Sequence, residues 1–422
     1  MALTARTFIT GANGAGKSSI LEAIRVLSVG KSFRTSRIDE AVCFEGNFFR
    51  LKATLRRVES NPEQGRGATV QADQYLELFY GNQFETQELK DRRLTYRGNP
   101  ISWADFLGEF PTVLFTPNDL EIVLGSPDVR RRYLDSVLWQ VSAEYRRSQL
   151  EFWQVLRERS ALLFMVKINR ASADELQPWN ELMAKLTKAI RLARSGYVDY
   201  LNTWLELKMK ENDLKIWVEY QFDKKQIEEF ESQEIKSAQN LFGAHRDELL
   251  IKLDDFSARR FASRGQSRLT VVYLKAAEAD YLREKTANPV TVLLDDTISE
   301  LDSNNTLRLL ELFNAEHQLI LTSAEGLDLA EEWSRIELDF KHSQKRIKWH
   351  NQKYSMTENN NYQKVRSDST PASHFLPYSP LRRSVRGREC EGVGGASQLT
   401  PSPSLKSQRR SRKLQSPESG KK

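Results

Sequence analysis

The sequence predicts an α/β protein in which long helices interrupt a domain of alternating strands and helices. Residues 3 to 127 contain short β-rich runs such as YLELFY and TVLFT between turn residues. Residues 128 to 212 repeat apolar positions at helical spacing, and residues 213 to 340 return to strand and helix alternation. We therefore expect residues 1 to 127 and 213 to 340 to fold together, with residues 128 to 212 as an inserted, short coiled-coil-like helical arm.

The last segment, residues 341 to 422, differs in composition from the rest of the chain. It has 18 Lys and Arg against 5 Asp and Glu, whereas the first 340 residues have 45 against 52. Its low apolar content and its many Ser, Pro and Asn residues predict a disordered tail. The composition leaves two interpretations open: a basic arm that adds salt-sensitive affinity for nucleic acid, or a dispensable, even frame-shifted, extension.

The cysteine content and the hydropathy indicate a cellular compartment. The chain has only Cys43 and Cys390, which are far apart and form neither a disulfide framework nor a metal cluster. No charged-then-apolar leader opens the sequence, and no run of about 18 apolar residues occurs. We expect a cytoplasmic protein that does not contact a membrane.

A glycine-rich loop separates the first predicted strand from the first predicted helix. The run GANGAGKS satisfies the G-x-x-x-x-G-K-[ST] pattern, with TFIT before it and SSILEAIRVL after it. In such a loop backbone N–H groups and a helix N-terminus face phosphate oxygens, Lys17 reaches the β and γ phosphates, and Ser18 binds Mg²⁺. The predicted nucleotide-binding residues are Gly11, Ala12, Asn13, Gly14, Ala15, Gly16, Lys17 and Ser18.

Two acidic residues follow a second apolar run, VTVLLDD, which begins at Val290. This pattern is typical of a buried parallel strand with carboxylates at its C-terminal edge. Asp295 is placed to hold the Mg²⁺ shell, and Asp296 to orient or deprotonate the water that attacks the γ-phosphate. Taken alone, the two acids could equally be solvated residues at a strand end, but together with the loop they predict a hydrolytic site.

The run SRGQ, from Ser263 to Gln266, opens an apolar-periodic helix and is a second candidate phosphate contact. Read locally, it could instead be a simple helix cap. The order of the motifs decides between them. A phosphate loop, a helical insertion, SRGQ, VTVLLDD and then SELD ending at Asp302 is the layout of an ABC-type ATPase head.

Five stretches resemble the RecF family of bacterial DNA repair proteins. They are GKSFRTSRIDEAV, TPNDLEIVLGSPDVRRRYLD, FGAHRDEL, RFASRGQSRL and LLDDTISELD. Because the GSPDVRRRYLD and GAHRDEL blocks are not shared by ABC ATPases in general, the chain is identified as a member of that family.

The resemblance implies a function. Two molecules would meet head to head around ATP and Mg²⁺, forming an ATP-dependent homodimer with slow ATPase activity that DNA stimulates. The family binds single-stranded, gapped or junction DNA and cooperates with RecR and RecO in loading RecA. Roles in recombinational repair, replication-fork recovery and the SOS response follow from that loading.

The resemblance also assigns roles to single residues. Lys17 and Ser18 become ligands of phosphate and Mg²⁺, Asp295 the Mg²⁺ carboxylate, and Asp296 the catalytic acid or base. Ser263 and Gly265 become the contacts to the γ-phosphate across the dimer, and Asp302 the residue that couples the subunits. The switch position falls at Thr322 or Ser323.

The start of the chain departs from the family pattern. In the family, two strands and an Asn-Phe-Arg turn precede the phosphate loop, and they have no counterpart here. We therefore expect residues 3 to 10 to lack hydrogen-bonding partners and part of the nucleoside pocket to be lost. This leaves two alternatives to a weak DNA-stimulated ATPase: a truncated, non-hydrolysing DNA-binding remnant, or an SMC-like structural clamp.

Candidate DNA contacts lie on the helical arm. They are Arg130, Arg131 and Arg132 at its start, and Lys185, Lys188, Arg191 and Arg194 further along. Each group could instead be an ordinary solvated helix face. The sequence shows no aromatic platform, so we expect the DNA contacts to be mainly to phosphate.

Overall fold

The computed structural model describes residues 1–43, 46–56, 58–59, 69–70, 73–81, 91–209, 215–297, 303–313, 317–324, 326, 329 and 332–338. The strands within these ranges are β1 (Arg6–Gly11), β2 (Phe48–Leu55), β3 (Val58–Glu59), β4 (Thr69–Val70), β5 (Gln74–Gly81), β6 (Asp91–Tyr96), β7 (Asn99–Pro100), β8 (Thr112–Phe115), β9 (Ile216–Gln221), β10 (Glu248–Leu253), β11 (Phe256–Ser257), β12 (Val290–Asp295), β13 (His317–Ser323) and β14 (Ser334–Leu338). The α-helices are α1 (Lys17–Val29), α2 (Trp103–Phe106), α3 (Glu121–Leu124), α4 (Pro127–Val141), α5 (Ala143–Lys167), α6 (Gln177–Lys208), α7 (Glu228–Ser237), α8 (Ala258–Phe261), α9 (Arg264–Thr286) and α10 (Ser303–Leu312).

A five-stranded sheet in the order β14-β1-β13-β12-β8 joins strands from both ends of this range, and its described pairings are all parallel. On one face, Ile9 and Leu293 pack against Leu21 of α1. On the other, Phe8 and Leu294 join the large core that includes α9. Burial on both faces explains why β12 is an unbroken apolar run.

The first strand has partners on both sides. Residues 6–10 of β1 pair with β13, and residues 7–11 pair with β14. The Gln318 side chain also donates to the carbonyls of Leu3 and Thr4, at 3.2 and 3.0 Å. The expectation that residues 3 to 10 lack hydrogen-bonding partners was therefore wrong, because strands from the far end of the chain supply them.

Two antiparallel sheets flank this layer. Strands β2, β5, β6 and β7 form one of them. The hydrophobic core beside this sheet includes Leu78 and Phe106, and Val26 and Leu27 from the end of α1 pack into it. Strands β9, β10 and β11 form the other, whose inner face carries Val218. This smaller sheet leads through α8 directly into α9.

The long helices fall where the helical spacing predicted them. Helix α6 begins at Gln177 with Pro178 in its first turn, a position that needs no backbone N–H, and it packs along α5. Their buried residues belong to the same continuous core as the parallel sheet and α9, for example Leu186, Tyr197 and Leu274. The helices are thus anchored to the sheet layer by shared packing.

A fully buried ion pair ties three of these helices together. Arg159 of α5 donates to Glu234 of α7 at 2.6 Å, to Asn180 of α6 at 2.8 Å and to Asn240 at 2.5 Å. The second oxygen of Glu234 accepts the backbone N–H of Leu241 at 2.6 Å. Both charged side chains are 0% exposed, so the pair lies entirely outside water.

A half-buried histidine near this pair makes stability depend on pH. Loss of hydration, together with the charges of Arg246, Arg131 and Arg159 and opposed by a hydrogen bond to the Asn240 carbonyl, lowers the pKa of His245 to about 4. In the unfolded chain the imidazole binds a proton near pH 6.5, so the unfolded state gains protons first as the pH falls. Its contribution is present above about pH 6.5 and is lost towards pH 4, a change on the order of 3 kcal/mol.

We expect His245→Gln to flatten the dependence of the unfolding free energy on pH in this window. Urea denaturation of both proteins at a series of pH values measures the difference. Parallel curves for the wild type and the variant would contradict a lowered pKa of His245 in the folded protein.

Among the described residues, no helix combines the length and hydropathy needed to cross a membrane.

Candidate nucleotide-binding site

The glycine-rich loop connects β1 to α1 as the sequence predicted. Gly16 adopts a left-handed conformation with φ 96° at the N-cap of α1, which favours glycine. At Gly11 an added Cβ would lie 2.5 Å from the carbonyl oxygen of Leu338. Strand β14 therefore approaches the loop too closely for any side chain there.

Lys17 lies within the curve of the loop. Its ammonium donates to the carbonyl oxygens of Gly11 at 2.6 Å and Ala12 at 3.2 Å, and the side chain is only 8% exposed. These carbonyls hold the positive charge of Lys17 beside the loop. The backbone N–H groups of the loop and the N-terminus of α1 favour an anion at the same place. The loop thus presents a positioned cation to a phosphate.

Ser18 and Asp295 meet at the end of the sheet. The Ser18 hydroxyl donates to Oδ1 of Asp295 at 2.9 Å, and the hydroxyl of Thr322, on the neighbouring strand β13, donates to the same oxygen at 2.9 Å. Hydroxyl and carboxylate oxygens are the ligands that Mg²⁺ prefers, usually one or two from the protein with the rest from phosphates and water. Ser18 and Asp295 therefore fit the metal that the sequence predicted.

Asp296 follows β12 in a left-handed conformation, with φ 51°. Its backbone N–H donates to both the carbonyl and the hydroxyl oxygen of Thr322, each at 3.2 Å. A non-glycine residue in this conformation carries strain, of order 1–3 kcal/mol, and such residues concentrate at functional sites. The switch candidate Thr322 therefore contacts both acids, Asp295 through its hydroxyl and Asp296 through the backbone N–H.

The SRGQ run begins α9 on the surface of the protein. Ser263 is the N-cap: its hydroxyl accepts the Gln266 N–H at 3.2 Å, and the Gln266 side chain accepts the Ser263 N–H at 2.9 Å. Ser263, Gly265 and Gln266 are all exposed. Among the described residues, no hydrogen bond or ion pair joins this run to the loop of the same chain, so the helix start is open to an external group.

Two predicted elements cannot be placed. Asp302, with the rest of the SELD run, lies outside the described residues, and so does the whole tail from 341 to 422. Their roles remain predictions.

The arm arginines are mostly engaged within the protein. Arg130 is 4% exposed and forms a two-bond ion pair with Glu248. Arg131 donates to the Asp247 carbonyl, Arg191 to the Asp247 carboxylate, and Arg194 to the carboxylate of Asp135. Of the predicted DNA contacts, only Arg132, Lys185 and Lys188 are exposed. The structure therefore assigns Arg130 and Arg194 to the core, where their charge is already neutralised.

The sequence analysis assigned no role to Arg34. Its guanidinium lies 3.3 Å from the hydroxyl of Ser19, one residue past the predicted metal ligand Ser18, and 3.5 Å from Glu22. Ser32 fixes this segment, because its hydroxyl donates to Glu22 and accepts the Arg34 N–H at 3.0 Å. The signal in the sequence was the run KSFRTSR, which was used only for the family resemblance.

Comparisons with known proteins agree with this geometry. The model of the RecF/RecN/SMC N terminal domain matches residues 3–346. The fold and this match define the class: an α/β head of the RecF/RecN/SMC type.

Within that class, the chain belongs to the RecF family. It is 30% identical over 349 residues to the DNA replication and repair protein RecF of Chloroherpeton thalassium, covering 76% of this chain and 89% of that protein. It is 32% identical over 332 residues to that of Moorella thermoacetica, covering 75% and 83%.

Two solved structures are similar to this chain over about four fifths of its length. One is the recombination mediator protein RecF-ATPrS in the RecFOR pathway, with a TM-score of 0.68, 27% identity and coverage of 79% of this chain and 91% of that one. The other is RecF-ATP, with a TM-score of 0.65, 26% identity and coverage of 79% and 89%.

Proposed function

We propose that the chain is an ATP-dependent DNA-binding protein of recombinational repair. It binds ATP with Mg²⁺, dimerises through its heads, hydrolyses ATP slowly in response to single-stranded, gapped or junction DNA, and assists RecA loading with RecR and RecO. Replication-fork recovery and SOS induction follow from that role. The observation that carries the proposal is the convergence of Lys17, Ser18 and Asp295 on one end of the parallel sheet.

The residues of one chain have distinct parts in this mechanism. Lys17 and the loop N–H groups bind the phosphates, and Ser18 and Asp295 hold the metal, which when bound neutralises phosphate charge. Asp296 receives the proton of the attacking water. Ser263 and Gly265 complete the site of a second copy, because their exposed helix start offers N–H groups to the γ-phosphate.

ATP hydrolysis by the full chain, with and without gapped DNA, tests the proposal, with Lys17→Ala as the matched variant. We expect DNA-stimulated turnover in the wild type and loss of nucleotide binding in the variant, because the loop loses its positioned cation. Binding to DNA in a gel-shift assay without any turnover would favour the non-hydrolysing remnant. ATP-dependent dimerisation without DNA stimulation would favour the SMC-like clamp.

Arg34 is proposed as a further nucleotide contact at the α-phosphate end of the site. Loop N–H groups cradle the α and β phosphates, and Ser19 follows directly on that loop. We expect Arg34→Ala to weaken the affinity for ATP and ADP alike, by roughly tenfold, which is the loss of one charge-assisted hydrogen bond.

Titration of a fluorescent ATP and a fluorescent ADP measures this effect. Arg37→Ala is the matched control, since Arg37 is also exposed and pairs with Asp39, as Arg34 pairs with Glu22. A loss confined to ATP would place the guanidinium at the γ-phosphate instead.

A further inference from the structure

Two phenylalanines and two arginines form an exposed cluster just before the SRGQ run. We call Phe256, Arg259, Arg260 and Phe261 the FRRF patch. Phe256 is 62% and Phe261 68% exposed, and their rings meet edge to face with centroids 5.8 Å apart. Such exposure is uncommon for large apolar side chains, and here the two are neighbours.

The fold explains why these rings are not buried. Phe256 pairs with Leu253 across β10 and β11, so it lies on the inner side of the small sheet. However, β11 is the edge strand, and Phe256 extends past the core that covers Leu253. Ala258, at the start of α8, is buried and fixes the helix that carries Phe261. The patch is therefore anchored to the core through Ala258.

The patch carries unneutralised positive charge. Arg259, Arg260 and Arg264 are exposed, and none has an ion pair with a described carboxylate. Two acids lie in the same segment: Asp255, and Asp254, whose carboxylate accepts the backbone N–H of Lys215 and keeps its charge. A partner of this surface must offer negative charge and flat apolar groups together.

We propose that the FRRF patch binds single-stranded nucleic acid, with bases against the phenylalanine rings and phosphates at Arg259 and Arg260. This deepens the proposed function, on which it rests, by locating its single-strand contact. Aromatic rings and a basic surface are the combination that sequence-independent single-strand binding uses, and duplex bases cannot reach the rings because they are stacked and paired. A protein partner with acidic side chains would satisfy the arginines but not the flat faces of both rings.

The FRRF patch lies directly before the residues proposed to contact ATP. Only Ala262 separates Phe261 from Ser263, and the Ala262 N–H donates to the Ala258 carbonyl at 3.0 Å, which links α8 to the start of α9. A strand bound at the patch therefore lies beside the residues proposed to contact the second subunit's γ-phosphate. Single-strand stimulation of hydrolysis is expected to pass through this contact.

Binding of a fluorescent oligothymidylate to the full chain at a series of salt concentrations tests the proposal. We expect Phe256→Ala with Phe261→Ala to weaken binding by about tenfold to a hundredfold with an unchanged salt slope. We expect Arg259→Ala with Arg260→Ala to reduce the slope of log K against log salt by about 1.4, since about 0.7 is lost per phosphate contact on a single strand. Both variants should keep basal ATP hydrolysis and lose its stimulation.

Two control variants match these changes. Trp217→Ala removes an aromatic side chain that is 49% exposed, on the opposite face of the same sheet. Lys167→Ala with Arg170→Ala removes two exposed charges at the end of α5 and just after it. The proposal is overturned if either control weakens single-strand binding as much as the patch variants do, or if the patch variants bind like the wild type.

A second copy of the chain is the competing occupant. Sedimentation with ATP distinguishes it: loss of the dimer in the phenylalanine variant, with single-strand binding intact, overturns the proposal. A wild type that binds no DNA overturns both the patch and the DNA part of the proposed function. Patch-dependent binding by a chain that binds no ATP would leave the inference standing and remove only the nucleotide function.

Discussion

Asp296→Asn is expected to slow ATP hydrolysis at least ~100-fold while ATP affinity stays within about threefold of the wild type. The amide is almost the same size as the carboxylate but accepts no proton from the attacking water. Binding is preserved because Lys17, Ser18 and Asp295 are untouched, and the hydrogen bonds of the Asp296 backbone N–H to Thr322 do not involve its side chain.

Single-turnover hydrolysis and fluorescent-nucleotide titration measure the two quantities separately. Asp254→Asn, the same change at a surface turn, is the matched control and should leave both unchanged. Turnover within a few-fold of the wild type in Asp296→Asn would assign the base role to another group. Loss of binding instead would make Asp296 part of the metal site.

Glu234→Ala is expected to lower the free energy of unfolding by about 3–5 kcal/mol. The change leaves the Arg159 guanidinium charged and buried, and it removes the acceptor for the N–H groups of Leu241 and Phe242. An uncompensated charge in a medium of low dielectric is far more costly than the loss of one ordinary hydrogen bond.

Urea denaturation measures this loss. The exposed pair of Arg56 and Asp73 provides the contrast, and Asp73→Ala should change stability far less, because water screens an exposed ion pair. The double variant Arg159→Met with Glu234→Leu should recover much of the loss, because no unpaired charge remains. A single variant as stable as the wild type would mean that water reaches the pair.

The sequence predicted the features that short-range patterns encode. The glycine pattern, the apolar run into Asp295 and the helix start at Ser263 each specify a local conformation, and the structure places each where it was expected. Both neighbours of β1 were missed, because no local signal shows that β13 and β14 pair with the first strand. Pairing across a sheet depends on the whole chain.

The same limit explains why the sequence did not show that most of the arm arginines are engaged within the protein. In the sequence Arg130, Arg131 and Arg132 form one basic cluster, but Glu248 lies 118 positions beyond Arg130. Only the fold shows that two of the three are engaged inside the protein. Phe256 and Phe261 were overlooked for the opposite reason, because an apolar residue beside a predicted strand is expected to be buried, and edge position is a property of the finished sheet.

The interior position of β1 in the sheet has a consequence for how the protein is made. Strand β1 emerges from the ribosome about 300 residues before its two neighbours, β13 and β14. Until then, the phosphate loop has no sheet to support it, and an apolar strand stays unpaired. A chain released early would carry every glycine of the loop and bind no nucleotide. During translation, this strand is therefore a natural target for a chaperone.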